Sequence, residues 1–154
     1  MQKRALIVGI SGVIGRALAE QLKGEGWQVS GLSRGRGAIP DGCESLTADL
    51  TDAAAVNEAL KEVQADALFF SVWSRQENEQ ANIRVNGAIV KNVIEALGER
   101  LNGSHVALVT GLKHYLGPFE AYGKGAVPVT PFRGYLLALL VLIGSVASVI
   151  VFWR

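Results

Sequence analysis

A glycine-rich turn near the start of the chain, Gly9-Ile10-Ser11-Gly12-Val13-Ile14-Gly15, narrows the choice of folds more than any other segment. It follows an apolar run over residues 5–8, typical of a buried parallel strand, and leads into residues 13–22, whose apolar positions recur at helical spacing. A strand, a glycine turn and a helix in this order let the backbone approach a pyrophosphate at the positive end of the helix. The sequence therefore predicts a dinucleotide site whose phosphates are held by Gly9, Gly12, Val13, Ile14 and Gly15.

Strand and helix patterns alternate along the rest of the chain. The pattern predicts further strands at residues 27–32, 45–48, 67–72 and 105–109, and helices from residue 51 or 52 to about 63 and over 77–97, the last ending near Gly98. This alternation is typical of a parallel sheet covered by helices on both faces, so we expect an α/β, Rossmann-type doubly wound fold. The five predicted strands are fewer than the six of a complete dinucleotide-binding sheet.

Composition excludes some classes of protein. The net charge of +1 gives no electrostatic basis for binding nucleic acid. Cys43 is the single cysteine, so an internal disulfide is excluded and a reducing, cytoplasmic location is expected. Cys43 lies in a Pro-Asp-Gly loop without a basic neighbour, which indicates an unreactive thiol.

The C-terminal segment differs from the rest in composition. Residues 134–153 contain no charged side chain and lie between Arg133 and Arg154. As a helix they would be about 30 Å long, the thickness of the hydrocarbon core of a bilayer. We therefore expect an incomplete nucleotide-binding domain over 1–133 and a hydrophobic segment over 134–154 that forms a transmembrane helix and anchors the chain to a membrane, with the first domain in the cytoplasm.

The end of the second predicted strand indicates which nucleotide is bound. Domains that bind NAD have an acidic residue there that holds the ribose hydroxyls, whereas this chain has Ser33-Arg34, with Arg36 close behind. A serine can hydrogen-bond a phosphate and arginines can neutralise it, so the pattern favours NADP (NADPH) over NAD. In the alternative interpretation, the arginines are solvated loop charges. Asp49 and Leu50 follow the third strand and either contact the adenine or begin the next helix.

A longer run in the second half carries a resemblance to a known family. Residues 110–124, which read Thr-Gly-Leu-Lys-His-Tyr-Leu-Gly-Pro-Phe-Glu-Ala-Tyr-Gly-Lys, resemble a run in the progesterone 5β-reductase and iridoid synthase family, atypical extended short-chain dehydrogenases/reductases. Ser33-Arg34 is similar to the NADP-selecting loop of that family. Residues 70–73 and 82–93 resemble the strand, loop and helix beside its cofactor. The likeness extends over about residues 4–132.

The resemblance implies the reduction of a small enone or carbonyl compound by hydride from NADPH. The substrate oxygen then becomes an enolate, which needs hydrogen-bond donors aimed at it. By this resemblance Lys113 is the catalytic lysine, and Val72 and Trp73 line the cofactor pocket. Without the resemblance, we would interpret Lys113 as a surface lysine. Trp73 would then be interpreted as a residue that packs over the edge of the sheet. His114, Tyr115 and Tyr122 lie nearby and are expected to be structural.

The chain also departs from the family pattern. Family members are longer and use a tyrosine from the next helix, and no tyrosine follows Tyr135 in this sequence. We therefore expect a truncated, inactive reductase, whose tail is either a genuine anchor or, as the abrupt end of the likeness favours, an out-of-frame end. The alternatives are a membrane-anchored, non-catalytic nucleotide-binding module and an extended-family epimerase or dehydratase. The absence of Tyr-x-x-x-Lys argues against the epimerase or dehydratase. The sequence does not indicate an oligomeric state.

Overall fold

The computed structural model describes residues 2–110, 137–143 and 146–153. The chain divides into two compact units, residues 1–104 and residues 105–154. The first unit contains the glycine turn and is described first.

The first unit is built on parallel strands. Its strands are β1 (Arg4–Val8), β2 (Gln28–Ser33), β3 (Glu44–Thr47) and β4 (Ala67–Phe70), in the spatial order β3-β2-β1-β4. All three neighbouring pairs are parallel, and Val8 of β1 is in register with Leu32 on one side and Phe70 on the other. Successive residues of β1 point to opposite faces, and Leu6, Ile7 and Val8 are all fully buried, so both faces of the sheet are covered. This arrangement confirms the α/β, Rossmann-type prediction for the first unit.

Three helices follow the strands, close to where the sequence predicts them. They are α1 (Val13–Gly24), α2 (Ala53–Leu60) and α3 (Glu79–Leu97). Asp52 caps α2 by accepting a hydrogen bond from the N–H of Ala54 at 2.9 Å, which resolves the choice between residues 51 and 52. Asn78 caps α3 in the same way, and α3 ends at Gly98, whose φ of +50° favours glycine.

Arg100, in the short 3₁₀ turn after α3, joins the ends of two helices. Its guanidinium donates hydrogen bonds to backbone carbonyls at the end of α2, among them those of Lys61 at 2.8 Å and Val63 at 2.9 Å. The same side chain donates to the carbonyls of Ala96 and Leu97 of α3. Carbonyls at the end of a helix have no partner within the helix, so this one side chain satisfies those of both α2 and α3.

The second unit contains β5 (His105–Thr110), β6 (Leu137–Ile143) and β7 (Val146–Trp153). Here β7 pairs in antiparallel fashion with β5 and with β6. The prediction of a transmembrane helix over 134–153 is wrong for the residues described, because they form two strands. No helix in the described part of the chain has the length and apolar character needed to cross a membrane. The predicted domain boundary at Arg133 lies outside the described residues.

The error in this segment has a physical reason. A continuous apolar run has no periodicity that separates a buried helix from a buried strand. The run is rich in β-branched residues, which favour strands, and the Gly144-Ser145 dipeptide is a sequence signal for a two-residue hairpin turn. The absence of charge therefore does not by itself predict a helix where two other signals favour a hairpin.

Candidate functional site

The candidate site lies at the carboxyl edge of the parallel sheet in the first unit. β1 is followed by Gly9, β2 by Arg34 and β4 by Ser71. β1 lies between β2 and β4, so the strand order reverses beside β1. In open α/β sheets, ligands bind in the crevice at this reversal. The glycine turn forms one wall of that crevice and the loop after β4 forms the other.

Gly9 occupies a position that only glycine fits. Its φ of +91° lies in a region that L side chains rarely adopt, and its N–H donates to the carbonyl of Leu32 at 2.8 Å. A Cβ built on Gly9 would lie 2.9 Å from the backbone nitrogen of Val72. The first glycine therefore lets the turn and the loop after β4 approach each other closely.

Gly12 and Gly15 bring the start of α1 against the same turn. The N–H of Gly12 donates to the carbonyl of Gly9 at 3.0 Å, and Gly12 is the N-cap residue that precedes α1. A Cβ on Gly15 would lie 2.3 Å from the oxygen of Gly9 and 2.7 Å from the Cα of Ile10. Gly15 is therefore required for the close packing of the helix on the turn.

The N-terminus of α1 fits a diphosphate. No side chain caps it, and its first turn contains no acidic residue that would repel an anion. Val13 is 88% exposed, and Ile14 is half-buried. The helix end thus offers backbone N–H groups and positive dipole to a ligand at the crevice.

The end of β2 combines one buried hydroxyl with exposed positive charge. Ser33 is buried, and its Oγ accepts a hydrogen bond from the N–H of Gly35 at 3.3 Å. Arg34 and Arg36 are exposed. Gly35 and Gly37 both have positive φ, so the chain turns sharply twice within a short distance. We refer to residues 34–38 as the basic loop.

The basic loop lies against the glycine turn and α1. A Cβ on Gly37 would be 3.4 Å from the Cβ of Ser11, and Arg16 Nη2 of α1 donates to the carbonyl of Ala38 at 2.7 Å. Arg16 is not predictable as part of the site from a local pattern, and its place one residue after the glycine motif is the one sequence signal that points to it.

Asp49 and Leu50 lie in the turn before α2. One oxygen of Asp49 accepts hydrogen bonds from the N–H of Thr51 at 2.9 Å and from its hydroxyl at 2.7 Å, and these bonds lower the pKa of the Asp49 carboxyl. Leu50 is buried, and its carbonyl accepts from Asn92 Nδ2 at 3.0 Å. The structure thus shows the helix-start arrangement, and an additional contact of either residue with adenine stays a prediction.

The loop after β4 is fixed to β1 and presents an exposed aromatic ring. The N–H and the hydroxyl of Ser71 both donate to the carbonyl of Val8, at 2.9 and 3.0 Å. This places Val72 beside Gly9, whereas Trp73 is 63% exposed. The exposed ring is available to a ligand, and its role in the cofactor pocket stays a prediction.

Two asparagines of α3 hold the same loop. The side-chain amide of Asn86 accepts from the N–H of Ser74 at 2.8 Å and donates to the carbonyl of Ser74 at 2.8 Å. Asn82, which is buried, accepts from the N–H of Gln76 at 2.7 Å. Asn86 lies within the run 82–93 that resembles the family, but its contact with Ser74 is not predictable from the sequence, because nothing in the local pattern links residues twelve positions apart.

The predicted catalytic residue, Lys113, lies outside the described residues, as do His114, Tyr115 and Tyr122. In the part of the chain that is described, no cluster of histidine, cysteine or acidic residues could hold a metal ion. Cys43 is half-buried, and burial raises the pKa of its thiol, although the charge of Lys23 lowers it in part. The expectation that this loop has no basic neighbour is wrong, because Lys23 of α1 donates a hydrogen bond to the carbonyl of Asp41.

Two surface cavities lie at the opposite, amino edge of the sheet. They have volumes of about 270 and 530 Å³, and Arg4 and Gln64 line both. The backbone N–H of Arg4, and then its guanidinium, hold the pKa of the adjacent Asp66 carboxyl below its usual value. Neither cavity includes a residue of the glycine turn, and ligands of α/β sheets bind at the carboxyl edge, so these cavities are not the candidate site.

Comparison with known proteins identifies the relatives of this chain. The model of the NAD dependent epimerase/dehydratase family matches residues 5–139. An (S)-8-oxocitronellyl enol synthase of Camptotheca acuminata is 33% identical over 85% of this chain. A 3-oxo-Delta(4,5)-steroid 5-beta-reductase of Arabidopsis thaliana is 34% identical over 75% of it. The resemblance to the progesterone 5β-reductase and iridoid synthase family is thus confirmed.

This chain covers 36% and 32% of the lengths of those two relatives. Among solved structures, the UDP-glucose 4-epimerase of Thermus thermophilus in complex with NAD superposes with a TM-score of 0.56. The superposition covers 63% of this chain and 34% of the epimerase at 24% sequence identity, which supports the fold alone.

Proposed function

We propose that this chain, which belongs to the NAD dependent epimerase/dehydratase family among the NAD(P)-dependent oxidoreductases, binds NADPH at a site of the kind that serves the reduction of a small enone or carbonyl compound. The relatives named as an enol synthase and a steroid reductase support this choice of chemistry. The chain covers about a third of the lengths of those relatives, so their substrates and complete reactions apply to this chain only as a proposal.

The observation that carries the choice of NADPH is the end of β2. Ser33 stands there instead of a carboxylate, and the arginines of the basic loop follow it directly. A carboxylate at this place would hold the ribose of NAD and repel a 2′-phosphate, whereas a hydroxyl and guanidinium groups attract the phosphate. The loop lies against the glycine turn, so one nucleotide can meet both.

The residues of the site fall into groups with different roles in this proposal. The glycine turn and the first N–H groups of α1 bind the diphosphate, Ser33 and Arg34 bind the 2′-phosphate, and Val72 with Trp73 borders the crevice. In a complete site of this kind, bound NADPH would supply a hydride to the substrate. Lys113 would add positive charge where negative charge develops on the substrate oxygen.

The cofactor is tested by titrating the 154-residue chain with NADPH and with NADH and following the fluorescence of the bound nucleotide. We expect NADPH to bind more tightly, and Arg34→Ala to weaken NADPH about tenfold, equal to 1.4 kcal/mol, with little effect on NADH. Arg84→Ala, which removes an exposed arginine of α3, is the matched control. An unchanged preference in Arg34→Ala would remove Arg34 from this role.

Turnover by this chain is a separate question. The resemblance implies a tyrosine from a following helix, and no tyrosine follows Tyr135. We propose that the chain binds NADPH without oxidising it in the presence of a small enone, which is also the behaviour of a non-catalytic nucleotide-binding module. Measurable enone-dependent oxidation of NADPH would show that the chain is a complete catalyst.

An epimerase or dehydratase is the second candidate. The description of the matching family favours it. Tyr115 and Tyr122 are not followed by lysine four residues later, which argues against it. Preference for NAD over NADPH, together with protection of the chain by a nucleotide sugar, would favour this candidate over the reductase.

A further inference from the structure

The basic loop is attached at both of its ends. At the start, Ser33 is buried and its hydroxyl accepts from the N–H of Gly35. At the other end, Arg16 of α1 donates to the carbonyl of Ala38 at 2.7 Å, across 22 positions of sequence. The position of the loop is therefore set by α1 as well as by β2.

Arg16 does not lie where it would stabilise α1. It is in the first turns of the helix, and its backbone N–H donates to the carbonyl of Gly12 at 2.9 Å. The N-terminal end of a helix carries a partial positive charge, so an arginine there is unfavourable and an acidic residue favourable. The described hydrogen bond of the Arg16 side chain goes to the basic loop. The Arg16 side chain therefore stabilises the position of the basic loop and adds positive charge beside it.

Resting on the proposed NADPH site, we propose that Arg16 is a positioning residue for the selection of NADPH over NADH. By holding Ala38, it keeps the basic loop against α1, so that Arg34 and Arg36 remain close to the glycine turn. Binding a 2′-phosphate then requires less ordering of the loop, and less affinity is lost to the entropy of fixing it. NADH has no phosphate at that position, so its affinity does not depend on the loop.

The test compares Arg16→Met with the parent chain. Methionine keeps an unbranched apolar stem but cannot donate to Ala38. We expect the dissociation constant for NADPH to rise about tenfold, equal to 1.4 kcal/mol, while that for NADH changes less than about twofold. Amide hydrogen exchange over residues 35–38 should become faster in Arg16→Met without ligand. Arg84→Met is the control for the loss of an exposed arginine.

Arg16→Gln separates the hydrogen bond from the charge. Glutamine is neutral but retains an N–H donor, and a partial return of NADPH selectivity and of slow exchange supports the positioning role. If Arg16→Met keeps both the selectivity and the exchange rates of the parent, the proposal is overturned while the NADPH site stands. If the parent itself does not prefer NADPH, the proposed cofactor fails, and the inference about Arg16 fails with it.

Discussion

Replacing Gly15 with alanine tests the close packing of α1 on the glycine turn. The new Cβ would lie 2.3 Å from the oxygen of Gly9, whereas ordinary contact begins at 3.4 Å. The helix and the turn would have to separate by about 1 Å, because both neighbouring groups are backbone atoms that cannot rotate away.

The expected cost follows from two opposing effects. Overpacking in a well-packed region costs about 1–3 kcal/mol, and the rigid backbone neighbours of Gly15 place this site at the upper end. Alanine is favoured over glycine within a helix by about 1 kcal/mol. We therefore expect Gly15→Ala to lower the free energy of unfolding by about 2 kcal/mol, a large part of the 5–15 kcal/mol typical of a folded domain.

Gly24→Ala in the same helix is the matched control. Apart from its chain neighbours and the backbone of its own helix, no atom lies within 4 Å of the Cβ position on Gly24, so only the gain in helix propensity remains. Urea unfolding of both variants and the parent measures the difference, provided that the slope against urea is unchanged. Equal stability of the two variants would show that the close contact at Gly15 does not exist, and the described geometry of the turn would then be wrong.

Three further substitutions have defined outcomes. Gly87→Ala, in the middle of α3 with open space around its Cβ position, should raise the urea midpoint by the equivalent of about 0.5–1 kcal/mol, and a lower midpoint would contradict this. Asn86→Asp keeps the acceptor for the N–H of Ser74 but places a charged oxygen opposite the carbonyl of Ser74. It should therefore weaken the binding of NADPH and of NADH by the same factor in a titration. Weaker binding of NADPH alone would contradict a role of Asn86 in holding the loop after β4. The pKa of Asp66 is lowered in the folded chain, so its carboxylate contributes stability that is present above the ordinary pKa of 3.8 and is lost as the pH falls through the lowered pKa. Asp66→Asn should therefore lose less stability than the parent on acidification. Equal slopes of the urea midpoint against pH in the two proteins would refute this.

Local sequence patterns were sufficient to predict the strands and helices of the first unit, although not the contacts between them. The burial of β1 on both faces follows from its uninterrupted apolar run, and the cap of α2 is a residue whose side chain accepts backbone N–H groups. Each of these signals acts over a few residues, so each is visible without knowledge of the fold. The glycine turn belongs to the same class, because the spacing of its glycines specifies how strand and helix meet.

The parts that sequence reasoning missed depend on contacts between distant residues. Arg16 reaches Ala38 and Asn86 reaches Ser74, and neither pairing leaves a mark in the local pattern. The strands β6 and β7 illustrate the same difficulty, because an apolar segment becomes a helix or a strand according to the partner it finds. Pairing with β5 is a property of the folded chain and not of residues 146–153 alone.

The hydrogen bonds of Arg100 to the ends of α2 and α3 have a consequence for the local unfolding of the first unit. A helix as short as α2 is marginal by itself in water, and frays from an end whose carbonyls lack partners. Arg100 ties that end to the end of α3, so the two helices should exchange their amide hydrogens together, as one cooperative unit. Proteolytic nicking near Lys61 would then report the opening of both helices, although the cleavage site lies beyond only one of them.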